Sequence, residues 1–167
     1  MKKWIIALSI LLALITINLC VLTRNYMPIR DIEPIEYQAT VVRNFTKEDV
    51  IKRVSKHFNI QFKLHWKSNV NYAGKAFIYS HNIILNTCLN EYAVGETLAH
   101  ELCHIKYYSA NETYVEFMAF KELYESGDEI LVDCAKYMII MHCENRVNKG
   151  TRYDVGYYIL KYLEETK

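Results

Sequence analysis

The chain has 167 residues with a formal net charge of +1, and its acidic and basic residues are interspersed. That balance offers no electrostatic footprint for a polyanion and excludes a nucleic-acid partner as the basis of function. Half the residues are apolar and no repeat or low-complexity tract is present, so the length fits one compact domain plus an appendage.

After Lys2 and Lys3, the run from Trp4 to Leu22 is apolar except for Ser9, Thr16 and Asn18. At helical rise it spans roughly 28 Å, the thickness of a bilayer core. No small-x-small cleavage site lies in Ile17-Asn18-Leu19-Cys20-Val21, and bulky Leu19 precedes Cys20, which favours an uncleaved signal anchor over a removed leader or a lipoprotein. Residues 1–3 then form a cytoplasmic tail, 4–22 a single transmembrane helix in the lipid bilayer, and 23–44, with both prolines (Pro28 and Pro34), a tether. The basic N-terminus directs the remaining domain, 45–167, to the extracytoplasmic side.

Thr46-Lys47-Glu48-Asp49 forms a capping box with Asp in the usual Glu position, and Val50, Ile51, Val54 and Phe58 follow at helical spacing. Ile60, Phe62, Leu64 and Trp66 alternate with polar residues, the period of a half-buried strand. Ala76 to Tyr79 and Ile83 to Asn86 read as two more strands joined at Ser80-His81-Asn82. Helical periodicity returns from Glu91 to Tyr108, with Val94, Leu98, Leu102 and Ile105 on one apolar stripe and Gly95 as a weak point. A helix through about Glu125 buries Val115, Ala119, Phe120 and Leu123. A long apolar helix begins near Glu129 and stops at Asn148-Lys149-Gly150, and Thr151-Arg152-Tyr153-Asp154 caps a last helix. This order predicts an α+β fold, with a small antiparallel sheet of about three strands packed against the helix that carries the chemistry.

That chemistry centres on His100-Glu101-Leu102-Cys103-His104. Histidines four apart share a helix face, about 6 Å apart, so both imidazoles can reach one Zn²⁺ ion. Glu101, beside the first of them, is placed to take a proton from a zinc-bound water, as a peptide-bond hydrolase requires. A catalytic zinc needs a third protein ligand. Glu112 and Glu116 share a face of the next helix and both are candidates, with Asp128 and Asp133 further on. His142, in an apolar helix, reads as a packed or surface residue. His57, His65 and His81 lack ligand spacing. Tyr79, Tyr107, Tyr108 and Tyr153 are available as oxyanion donors.

From about Ala73 to Leu123 the chain resembles the ImmA/IrrE family of zinc metallopeptidases, which are gluzincin-like. The carriers are the His-Glu-x-x-His helix entered from a strand and the run Glu112-Thr113-Tyr114-Val115-Glu116-Phe117-Met118-Ala119, against the family's Glu-x-x-Ala-Asn-x-Phe-Ala. The resemblance implies Glu112 as third ligand, with Glu116 as the alternative, and Ala119 at a small packing position. It also implies hydrolysis of a protein substrate aligned along an edge strand. Ile83, Ile84 and Leu85 are the expected substrate-holding strand, by β-augmentation. A catalytically silent, zinc-stabilised, partner-binding module is the competing expectation, and an intact Glu101 speaks against it.

Overall fold

The computed structural model describes residues 44–144 and 151–166. The chain divides into residues 1–40 and 41–167, and every described element belongs to the second unit. The proposed membrane span at 4–22 lies outside the described residues. Among the described residues no helix is long and apolar enough to cross a membrane.

The domain is α+β. Helix α1 (Lys47–Phe58) starts with the expected capping box: the Asp49 N–H donates to Thr46 Oγ1 (3.2 Å), and the Thr46 N–H donates to Asp49 Oδ2 (3.0 Å). Each reciprocal bond satisfies a donor that the first helical turn leaves unpaired. Strands β1 (Lys63–Lys67), β2 (Gly74–Phe77) and β3 (Asn82–Asn86) follow, then α2 (Glu91–Tyr107), α3 (Glu112–Tyr124), α4 (Glu129–Ile139) and α5 (Thr151–Glu165). Asn90, Asn111 and Asp128 are the N-caps of α2, α3 and α4.

The sheet is mixed, which corrects the antiparallel expectation. Its order is β1-β3-β2, with β1 parallel to β3 and β2 antiparallel to it. Alternation along a strand sets which face is buried but carries no information on strand direction. Direction is set here by the segment between β1 and β2, which crosses to the far side of β3. Asn86 Nδ2 ties that crossover down by donating to the carbonyls of Val70 (3.3 Å) and Tyr72 (3.2 Å). A second correction follows. Ile83, Ile84 and Leu85 lie on the central strand, with backbone engaged on both sides and the Ile83 and Leu85 side chains fully buried, so they offer no free edge to a substrate. The edge beside α2 is β2.

Helix α2 is buried on nearly its whole circumference, from Ala93 to Ile105, because α1, α3, α4 and the sheet all pack against it. Gly95, read from sequence as a weak point, is where that crowding is greatest. A Cβ there would lie 2.4 Å from Cys134 Sγ of α4 and 3.0 Å from Val50 Cγ1 of α1. The helix propensity lost at a glycine is the cost of bringing three helices together. The predicted inward residues Val94, Leu98, Leu102, Ile105, Val115, Ala119, Phe120 and Leu123 are all buried.

The long helix expected to begin near Glu129 and stop at Asn148-Lys149-Gly150 departs from regularity. α4 ends at Ile139 and continues as a π-turn, Ile140–Glu144.

Candidate metal centre

Burial of α2 leaves one stripe of it facing a cleft of about 560 Å³, lined by Glu96, Thr97, His100, Glu101 and His104 together with residues of β2, α3, the π-turn and α5. The connection from α2 to α3 is short. Tyr108 ends α2 in the left-handed conformation (φ 49°), and Asn111 Oδ1 accepts from the Tyr114 N–H (3.0 Å) to start α3. This tight reversal sets the first turn of α3 over the histidine-bearing face and delivers Glu112 and Glu116 to opposite sides of His100.

Each histidine of the pair is fixed through Nδ1. His104 Nδ1–H donates to the Ser109 carbonyl at 2.6 Å, and His100 Nδ1–H donates to Glu116 Oε2. Both Nε2 atoms are thereby turned to one point, 3.0 Å apart, and Glu112 Oε2 lies 3.1 Å from His100 Nε2 and 3.5 Å from His104 Nε2. Three ligands bonded at about 2.1 Å in tetrahedral geometry stand about 3.4 Å apart, so the observed separations of 3.0, 3.1 and 3.5 Å come within a few tenths of an ångström of what a zinc ion needs. Two imidazole nitrogens at 3.0 Å also repel through their lone pairs unless a proton or cation lies between them. The donor set, two imidazoles and a carboxylate, suits zinc.

Of the sequence candidates for the third ligand, Glu112 is the one brought to the paired Nε2 atoms. Glu116 binds the outer nitrogen of His100 instead, the arrangement by which a carboxylate orients a ligating histidine and raises its basicity. Asp128 caps α4 and pairs with Arg53 (2.5 Å), and Asp133 pairs with Lys136 (3.2 Å). Neither lines the cleft.

Glu101 is buried and points to β2, where its carboxylate accepts a hydrogen bond from the backbone of Ala76. Gly74 makes this approach possible: a Cβ there would lie 2.5 Å from Thr97 Cγ2 and 2.8 Å from Glu101 Oε1. Burial raises the Glu101 pKa above the ordinary carboxylate value, the direction a general base needs, against a lowering by His100 and His104. Among the described residues no tyrosine lines the cleft. Tyr107 donates its hydroxyl to Glu122 (2.6 Å), while Tyr79 and Tyr108 are exposed. The Tyr153 side chain lies outside the described part.

Two cleft residues escaped the sequence reading. Glu96 stands four before His100, on the same helix face as both histidines, and that spacing was the available signal. His142 was read as a packed or surface histidine. It is half-buried as a residue, with its side chain 7% exposed and donating from Nε2 to Glu116 Oε1 at 2.7 Å, and Glu96 Oε1 stands at 3.5 Å. Glu116 thus has one oxygen on each histidine, and only tertiary packing brings His142 there.

Comparison with protein-family models, with curated proteins and with solved structures finds no match.

The charges of the metal-free site set a pH dependence. Burial alone would lower the His100 pKa, but the Glu116 hydrogen bond and charge outweigh it and raise it to about 9. His142 likewise rises to about 9, with burial overcome by Glu116 and Glu96. For Glu116, burial is overcome by His100 and His142, and its pKa falls to about 2. The histidine contributions to stability are therefore complete below the ordinary imidazole value of 6.5 and lost as pH rises through about 9. The Glu116 contribution is complete above 4.5 and lost as pH falls toward 2. The chelator-treated chain is expected to melt highest between these limits and progressively lower from pH 7 to 9.5. With zinc added the gap between loaded and metal-free melting temperatures widens over the same range, because the ion displaces a proton from His100. A melting temperature of the metal-free chain that climbs from pH 7 to 9.5 contradicts this assignment.

Proposed function

We propose that the chain is a membrane-anchored zinc metallopeptidase that hydrolyses peptide bonds of a protein substrate. The observation that carries this reading is the convergence of His100 Nε2, His104 Nε2 and Glu112 Oε2 within 3.5 Å of one another, beside a buried, carboxylate-bearing Glu101. His100, His104 and Glu112 would hold the ion, which when bound would supply Lewis acidity and a water acidic enough to deprotonate near neutral pH. Glu101 accepts the proton of the attacking water and passes it to the leaving amine, its position fixed by the Ala76 backbone. Ser109 and Glu116 hold the two ring orientations, so the geometry is set before substrate arrives.

Substrate placement falls to β2. It is the edge strand beside α2, and its residues Gly74, Lys75 and Ala76 line the cleft, so an extended peptide pairing with it would lie along the zinc site. The resemblance to the ImmA/IrrE family points to the same chemistry. The apolar run 4–22 supports single-pass membrane attachment with the domain on the extracytoplasmic side.

The test is cleavage of an extended-peptide library by the zinc-loaded full chain in detergent. Hydrolysis that stops with chelator and returns with zinc is expected. A zinc-loaded chain that cleaves none of the library would favour the alternative, a silent zinc-stabilised module that binds a partner through the same edge.

A further inference from the structure

The π-turn Ile140–Glu144 interrupts a helix whose preceding residues, Met138 and Ile139, are buried in regular α-helix. Widened turns of this kind recur where a helix presents a functional side chain. This one presents His142 at the cleft. The turn is held from behind by α5, where Gly156 lies so close that a Cβ on it would be 2.7 Å from the His142 carbonyl oxygen. Only a residue without a side chain lets α5 press against the turn at that point.

His142 stands between two carboxylates. Its Nε2 is 2.7 Å from Glu116 Oε1 and 3.5 Å from Glu96 Oε1, and its side chain is more than nine-tenths buried. Glu116 uses its other oxygen for His100 Nδ1–H. The atoms form a continuous line: His142 Nε2–H to Glu116 Oε1, and Glu116 Oε2 to His100 Nδ1–H, with His100 Nε2 at the zinc position. A carboxylate bound at one oxygen can rotate about its last bond, and bound at both it cannot.

We propose that His142, presented by the π-turn, is a positioning residue that acts through Glu116 to hold His100 Nε2 in its metal-binding orientation. This rests on the metallopeptidase reading and assigns a role to a histidine outside the His-Glu-x-x-His motif. Outer partners of ligating histidines are worth about 10- to 100-fold in metal affinity, and His142, one bond further out, belongs at the lower end.

The experiment is a double-variant cycle on the full chain in detergent, with zinc affinity measured by chelator competition at one pH. His142→Leu is expected to bind zinc about tenfold more weakly. His142→Gln, whose amide can donate to Glu116 from nearly the Nε2 position, is expected to restore most of the loss. The pair His142→Leu with Glu116→Gln is expected to lose no more than Glu116→Gln alone, since the effect runs through that carboxylate. His142→Asn, too short to reach Glu116, replaces His142→Leu if the latter does not fold.

Additive losses in the pair, or no rescue by glutamine, would reduce His142 to a packing residue and overturn the proposal. So would equal zinc affinity in wild type and His142→Leu. Zinc stoichiometry falling from two to one in His142→Leu would overturn it in another way, by making Glu96, Glu116 and His142 a second cation site. Failure of the zinc reading itself is seen separately, as a wild type that takes up no metal. The imidazole ¹⁵N spectrum of the metal-free chain then decides: His142→Leu shifts the His100 Nδ1 signal if the line of bonds holds His100, and an unshifted signal overturns the proposal.

Discussion

Glu101→Gln is expected to lower peptide turnover by about 10²- to 10⁴-fold, the usual contribution of a general base, while leaving zinc affinity unchanged. Glutamine has the same shape and can still accept the Ala76 backbone hydrogen bond, so the contact between α2 and β2 survives. What it lacks is a basic oxygen. Glu101 is absent from the converging set of His100, His104 and Glu112, so its loss removes no ligand. Burial keeps its pKa raised, and that places its basicity nearer to neutral than an exposed carboxylate's. Steady-state hydrolysis of a fluorogenic peptide, with chelator competition run on the same preparation, checks both halves. Retained turnover would remove Glu101 from proton transfer.

The second large effect separates the two glutamates of α3. Glu112→Ala is expected to weaken zinc binding by more than the 10- to 100-fold that characterises loss of an outer partner, and Glu116→Ala by an amount within that range. Their effects on the fold are expected to run in the opposite order. The Glu112 side chain is 61% exposed, and its removal leaves no buried charge behind. The Glu116 side chain is 13% exposed and bonds two histidines at once, so its removal strands His100 and His142. Metal-free Glu116→Ala should therefore melt well below wild type while metal-free Glu112→Ala stays close to it. Zinc losses in the reverse order would exchange the two roles.

The centre of this site was legible in the sequence because its parts are local. His100, Glu101 and His104 lie within one and a half helical turns, and the face they share follows from helical geometry alone. Glu112 and Glu116 could be named as a pair for the same reason. Choosing between them required the angle at which α3 leaves the Tyr108–Asn111 turn, and no periodicity encodes that angle. The capping box of Thr46 with Asp49 and inward stripes such as Val94 with Leu98 were legible for the same local reason. Strand order was not. β1 and β3 pair in parallel across a crossover, and alternation of apolar residues is the same whichever way a neighbour runs, so the central strand was mistaken for the edge. Gly95 looked like a defect in a helix because the side chains it admits, Val50 and Cys134, come from elements far away in sequence. His142 was hidden twice, by its apolar surroundings in sequence and by a π-turn that helical periodicity does not anticipate.

The most direct test of the account is the metal content of the purified full chain, with His104→Ala prepared in parallel. One zinc per chain, lost in the variant, is the predicted result. A wild type that remains empty after zinc is supplied would contradict it, and the convergence of His100, His104 and Glu112 would then be a proton-bridged cluster instead of a metal site.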